Sequence, residues 1–241
     1  MTMFFVPFAK LVLAKLQRFH SIRCIELDVL TKYLSPKSGE KIIDIGCGKG
    51  FYCDFLFHKG IEAHGIDPSK RDIAFAQIIQ HKGIHVQVAE GEAIPYKNSE
   101  FDRAVSVCVL EHTRDDKKVL QEVHRVLKKN GTFALSVDTL DSPNYGVAYR
   151  AQHAKEHFVN QYYTREKLVK LLQSTGFEVV DTQYLFGSGV ATRIMHVGSF
   201  FHFGFWFLAL FPIIYPILWV DHQLNRTLSH GMILVVHARK K

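Results

Sequence analysis

Between Asp44 and Gly50 the chain reads Asp-Ile-Gly-Cys-Gly-Lys-Gly, three glycines within five positions at the end of an apolar run. A buried strand that enters such a turn and then a helix near Phe51 sets backbone N–H groups beside a ligand, which is nucleotide-site geometry. What is missing narrows the nucleotide. The dinucleotide fingerprint G-x-G-x-x-G would need glycine where Phe51 stands, and the phosphate-binding loop would need a Lys-Ser/Thr ending that is absent. Twenty-three residues after Asp44 the next apolar run, AHGID, ends in Asp67, an acid placed to accept both hydrogen bonds of a ribose diol. The third run ends in Ala89-Glu90-Gly91-Glu92, where a carboxylate could accept from an adenine amino group and a neighbouring N–H could donate to the ring. Taken singly, Asp67 could instead cap a helix starting near Pro68 and Ser69, and Glu90 could be solvated. Three acids at three consecutive strand ends favour an adenosine site.

Two further segments carry bases. Leu110-Glu111-His112 follows the fourth apolar run, and a histidine there can accept a proton near neutral pH, although it could equally be a capping or packing residue. Tyr145, Tyr149, His153, His157 and Phe158 follow the fifth and could supply aromatic walls or a second base. His112 is the first candidate. His157 ranks above His153 because it directly precedes the Phe158-Val159 pair leading into the next helix.

The elements that must position these groups are legible in the hydrophobic pattern. From Lys41 onward, short apolar runs (KIIDIG, AHGID, HVQVAE, FDRAVSVC, TFALSVD) alternate with helical stretches at about 50–59, 69–82 and 115–129, which predicts a parallel sheet. Lys128 to Gly131 reads as a helix stop. A helix from Thr164 to Ser174 follows, with Thr164 as N-cap and Gly176 past its end, and the strands GFEVVDTQYLF and GMILVVHARK close the chain. At 241 residues and 47% hydrophobic, one α/β domain over residues 36–241 can bury its own core, preceded by amphipathic helices in residues 1–35. With 22% charged residues and no repeat, disordered and low-complexity classes are excluded. The formal charge of +7 suits an anionic partner. No run of five or more Lys or Arg exists, and the aromatics sit in apolar blocks, so nucleic acid is not expected as that partner. Four cysteines without zinc spacing, and no apolar leader with a small-residue cleavage site, fit a reducing cytoplasmic setting.

At this point residues 41 to 140 resemble class I S-adenosylmethionine-dependent methyltransferases of the ubiquinone and menaquinone biosynthesis type. The stretches that carry the resemblance are IIDIGCGKG, GIDPS, AEGEAIPYKNSEFDRAVSVCVLEH and LQEVHRVLKKNGTFALSV, in the family's order. The resemblance implies a doubly wound, seven-stranded, mostly parallel Rossmann-like sheet with its last strand antiparallel, and S-adenosylmethionine as cofactor. It also implies that Asp44, Gly46, Cys47 and Gly48 hold the methionine end, Asp67 the ribose, and Glu90 with Gly91 the adenine. Many members have Asp where this chain has Glu90. Methyl transfer from a sulfonium needs positioning, desolvation and, for a hydroxyl acceptor, a general base, the role open to His112 and His157. Some quinone O-methyltransferases bind a divalent metal around the Glu-His pair. Here Cys108 stands where a further carboxylate would be expected, and a soft thiol suits magnesium poorly, so no metal is expected.

Between the last two strands lies an insert, residues 187–230, whose core Val197–Val220 has no formally charged residue in 24 positions. The flanking strands should pair in one sheet, so a single crossing of a bilayer would separate them, and two crossings would need roughly 40 apolar residues. The expectation is a pair of short helices, broken or kinked by Pro212 and Pro216, dipping into one leaflet with Trp206, Tyr215 and Trp219 near headgroup depth. This predicts peripheral or monotopic contact at the cytoplasmic face of a membrane and a lipid-like or quinone-type acceptor. Two other readings stay open: a methyltransferase on a soluble metabolite or glycan whose insert forms a dimer surface, and a non-catalytic binding or scaffold protein that keeps the cofactor fold.

Overall fold

A computed structural model of the chain describes residues 21–78, 81, 83–141, 145–200 and 209–241. The first twenty residues of the expected amphipathic start, and Trp206, lie outside the described residues. Helix α1 (Ser21–Leu34) leads into β1 (Lys41–Ile45), α2 (Phe51–Phe57), β2 (Glu62–Asp67), α3 (Lys70–Ile78), β3 (Ile84–Val88) and β4 (Phe101–Val107). After a 3-10 turn (Leu110–His112) come α4 (Asp116–Val126), β5 (Leu127–Asp141), α5 (Val147–His157), α6 (Arg165–Ser174) and β6 (Phe177–Leu185). Helices α7 (Gly189–Phe200) and α8 (Phe211–Leu224) then precede β7 (Gly231–Lys240). The seven strands form one sheet in the order β3-β2-β1-β4-β5-β7-β6, as the doubly wound expectation requires. β7 runs antiparallel to both β5 and β6. The order reverses at β1 and β4, the position where open α/β sheets leave a crevice at their carboxyl edge.

Strands buried on both faces explain the apolar runs. In β1, Ile42 belongs to one core and Ile43 and Ile45 to the other. In β7, Ile233 and Val235 alternate likewise with Leu234 and Val236. One core is closed by α1 and α2 through Leu30, Leu34 and Leu56, with Met195 of α7 and Leu218 of α8. The other is closed by α4 and α6 through Val119, Leu120, Val123, Leu168 and Leu172. Thr164 accepts the amide of Lys167 as the expected N-cap of α6, and Gly176, φ +93°, lies just past its end.

Two expectations are corrected. The helix expected over 115–129 ends at Val126, and Leu127–Lys129 open β5 instead. Leu127 is fully buried opposite Phe101, Lys128 Nζ donates to Asp102 Oδ1 at 2.6 Å, and Asn130 takes a left-handed φ of +62°. Burial of Leu127 in the sheet outweighs the helical preference of the two lysines. Among the described residues the insert contains helices α7 and α8, and α8 runs unbroken through Pro216, with Pro212 in its first turn. The hydrogen bond that Pro216 forfeits would have gone to the carbonyl of Pro212, at a helix end exposed to solvent. Among the described residues no helix is long and apolar enough to cross a membrane.

Candidate active site

The turn after β1 is fixed from beneath, because Gly46 N and Cys47 N both donate to the Ile66 carbonyl, at 2.8 and 2.9 Å. Gly46 (φ +75°) sits so close to Val109 that a Cβ would collide with that side chain. Gly48 (φ +50°) differs: a Cβ there would meet nothing within 4 Å, so its open side faces the cleft and leaves a cradle for a ligand. Asp67 Oδ2 accepts from Gly48 N at 2.9 Å and its Oδ1 from Ser69 N at 2.8 Å. The expected cap of α3 is corrected: Ser69 Oγ accepts the amide of Asp72, while Asp67 ties the glycine turn to the lead-in of that helix. Asp44 is buried with Oδ1 lacking any hydrogen-bond partner. Burial first, and the neighbouring Asp67 second, push its carboxyl up to about 8.

Two cavities meet at Gly46 and His112. The larger, about 630 Å³, has Asp44, Gly46, Cys47 and Gly48 in its wall, together with His112 and His157. The smaller, about 380 Å³, is lined by Glu90 and Gly91 beside Ile66, Pro68 and Ala89. Asp67 lines neither and reaches the site through its bond to Gly48. An elongated ligand with an apolar ring at one end and charged groups at the other fits this pair. The ring would lie between apolar walls beside Glu90, and the charged end would lie over the glycine turn and Asp44.

The histidines differ in how they are held. His112 is exposed in the 3-10 turn, with Nδ1 3.3 Å from the Phe158 carbonyl, and Asn160 Nδ2 donates to its backbone oxygen at 2.8 Å. His157 is exposed at the end of α5, its ring 4.4 Å from that of His153. His153, ranked behind it in the sequence, is buried in the same cavity. Its Nδ1 lies 3.0 Å from the Tyr162 hydroxyl, which itself donates to the Arg150 carbonyl. That assigns the ring proton to Nδ1 and leaves Nε2 as an acceptor, 3.8 Å from Asp138 Oδ2. Burial, with His157 adding to it, pushes His153 down to about 4, so it stays neutral near pH 7.

Sequence reasoning missed the acids on the opposite wall. Glu26 reaches the cavity from α1 and Asp138 from β5. Asp138 ends the TFALSVD run, so the strand-end signal that marked Asp67 could have found it; Glu26 had no such signal. Arg23 Nη1 donates to Glu26 Oε2 at 2.6 Å, and Cys108 Sγ donates to Glu26 Oε1 at 3.1 Å. Glu111, fully buried, accepts from Asp138 N at 2.9 Å through Oε1, while its Oε2 has no partner. Burial, then Asp138, hold Glu111 well above the carboxylate range. Burial, then Glu26, likewise push up the Cys108 thiol. Cys108, Glu111 and Asp138 bring ligand atoms within 4.8 Å of one another. A soft thiol among the three donors, with the Arg23 guanidinium 3.8 Å from it, nevertheless fits a hard divalent ion poorly. Cys108 and Asp138 face the same cavity as the histidines, with Glu111 buried behind them.

A family model described as a methyltransferase domain matches residues 17–182. An uncharacterized protein of Methanocaldococcus jannaschii is 30% identical over 164 residues, 67% of this chain and 75% of that protein. The ubiquinone biosynthesis O-methyltransferase of Ruegeria pomeroyi is 24% identical over 188 residues, covering 69% and 76%. In fold, the chain is similar to an S-adenosylmethionine-dependent methyltransferase from Mesorhizobium loti, with TM-score 0.66, 21% identity, and 89% and 97% of the two chains covered. The family match over most of the chain, the sheet order and the glycine cradle converge: the chain belongs to the class I S-adenosylmethionine-dependent methyltransferases, with S-adenosylmethionine as its cofactor.

Proposed function

We propose that this methyltransferase acts on a lipid-like or quinone-type acceptor at the cytoplasmic face of a membrane. The observation that carries the reading is the outer face of α8. Leu210, Ile213, Ile217, Val220 and Leu224 follow one another at helical spacing, all exposed, with Trp219 beside them. The inner face of the same helix buries Leu218 and packs on α1, the helix that supplies Arg23, Glu26 and Leu27 to the larger cavity. β7, which follows the insert, supplies Met232 and Ile233 to that cavity. A surface helix lying in a headgroup layer would thus adjoin the acceptor wall, and the net charge of +7 favours anionic lipid. The likeness to a ubiquinone biosynthesis enzyme points the same way.

Within this reading Asp44, Gly46, Cys47 and Gly48 hold the methionine end of the cofactor, Asp67 the ribose, and Glu90 with Gly91 the adenine. The bound cofactor supplies an activated methyl group on a sulfonium. The chain orients the acceptor between Tyr149 and the apolar start of β7, excludes water from the larger cavity, and takes up the proton of an acceptor hydroxyl on His112 or His157. Replacing His112 and His157 separately with Ala should lower turnover while leaving cofactor affinity intact; undiminished turnover would remove the role from that residue.

Flotation on vesicles of phosphatidylcholine and phosphatidylglycerol tests the membrane contact. The wild type should float, and an Ile217→Glu/Val220→Glu variant that binds S-adenosylhomocysteine normally should remain in the dense fraction. Equal flotation of both, or a non-floating wild type that elutes as a dimer disrupted by the same substitutions, would overturn the reading in favour of a soluble acceptor.

A further inference from the structure

Away from the cofactor cleft, three side chains with no part in the chemistry above converge at the far end of α2. Asp54 and His58 are four residues apart and so share one face of that helix, with His58 as its C-cap. His81 comes from the connection between α3 and β3. His58 Nε2 and His81 Nε2 lie 3.7 and 3.6 Å from the same Asp54 Oδ1, and one ligand atom from each of the three lies within 4.8 Å of the others. These separations are too long for hydrogen bonds. They approach the edge of a tetrahedron, about 3.3 Å, whose centre sits 2.0–2.1 Å from each ligand.

The rings are oriented by their surroundings. His81 stacks on Phe57 at 5.1 Å with an interplanar angle of 3°, and His58 stands edge-on to both, at 5.6 Å from each. The Asp54 side chain is only 9% exposed, whereas those of His58 and His81 are 60% and 51% exposed. A buried carboxylate between two open imidazoles leaves an entry path and a fourth position for water. Two nitrogens and one oxygen suit zinc, and do not suit calcium or magnesium. A second cluster, Glu62, His64 and His85, lacks this character. There His64 Nε2 is already bonded to Glu62 Oε1 at 2.9 Å, and the Lys41 ammonium lies 3.3 Å from the same oxygen.

We propose that Asp54, His58 and His81 form a zinc site that ties the end of α2 to the lead-in of β3. Helix α2 begins at the glycine turn, so the metal would anchor the element that carries that turn from about 10 Å away, at the opposite edge of the sheet. Its effect is on stability and not on methyl transfer. Because zinc binds the folded chain, saturation at about 100 times Kd should raise Tm by about 5–10 °C.

The test is titration of the chelator-stripped full chain with zinc chloride, read by calorimetry and thermal melting, and with cobalt chloride, read by absorption. One equivalent should bind in the wild type and in a His85→Ala control, with a cobalt spectrum free of thiolate charge-transfer bands. His58→Ala and His81→Gln should each weaken binding at least about tenfold and cut the rise in Tm to about half or less at the same zinc concentration, while S-adenosylhomocysteine binding and far-UV circular dichroism stay unchanged. The exposed His81→Gln variant remains informative if His58→Ala perturbs α2. Failure of the folded wild type to take up zinc, equal uptake by both variants, or a thiolate band in the cobalt spectrum would overturn the site.

Discussion

Replacing Asp44 with Asn tests the electrostatics of the cofactor turn most directly. Asp44 is buried, its Oδ1 has no partner, and its carboxyl is pushed up to about 8 by burial and by Asp67. At neutral pH it is therefore a neutral acid, which Asn imitates in shape and charge. In the proposed role, the cationic amino end of S-adenosylhomocysteine favours the ionised form. Affinity should then rise with pH until Asp44 is ionised in the free protein. For a group titrating at about 8 that must ionise on binding, Kd should fall by up to about 50-fold between about pH 6 and pH 8, and the Asn variant should be flat. Stability moves the opposite way. The folded pKa lies above the unfolded one, so the native chain holds a proton that the unfolded chain has lost, and stability falls as pH rises from the carboxylate range towards 8. The Asn variant lacks this slope, so its stability relative to wild type should rise by up to about 4 kcal/mol between about pH 5 and pH 8, at 1.36 kcal/mol per pH unit. Isothermal titration calorimetry and urea unfolding at each pH read both quantities. Taking the difference from the variant cancels the titration of the histidines. A wild-type Kd that does not change with pH, or an Asn variant with the same slopes, would refute the reasoning.

Gly48→Ala and Gly39→Ala place the same methyl group at left-handed positions, φ +50° and +82°, with open space around each. Both should lose about 1–2 kcal/mol of stability in urea melts, and only Gly48→Ala should also weaken S-adenosylhomocysteine binding, because its Cβ enters the cleft. Glu111→Gln keeps the acceptor oxygen for the Asp138 amide and replaces a carboxyl whose ionisation burial disfavours, so thermal melting near pH 7 should shift by no more than a few degrees. Glu111→Ala strips the amide of Asp138 of its acceptor and should cost about 1–3 kcal/mol in urea unfolding.

The sequence by itself determined the frame of this protein. Apolar runs of strand length, each ending in Asp44, Asp67 or the Glu90 pair, could bury both faces only in a helix-covered parallel sheet, and they carried the glycine turn to its carboxyl edge. Local signals were sufficient there because strand, turn and helix are contiguous in the chain. The apolar insert was visible for the same reason, since 24 uncharged positions stand out in any context. The tertiary structure alone decided what depends on distant partners. Leu127 left its helix because Phe101 offered a buried neighbour across β4. Glu26 joined the cavity because α1 packs along a face of the sheet with its first turns beside Cys108, just past the end of β4, and no pattern in residues 21–34 marks it. His153, not His157, received a fixed orientation, because Tyr162 folds back onto it. The raised pKa values of Asp44 and Glu111 likewise come from desolvation and from acids on other strands. Spacing along a chain reports which side chains share an element; only packing reports which charges share a cavity.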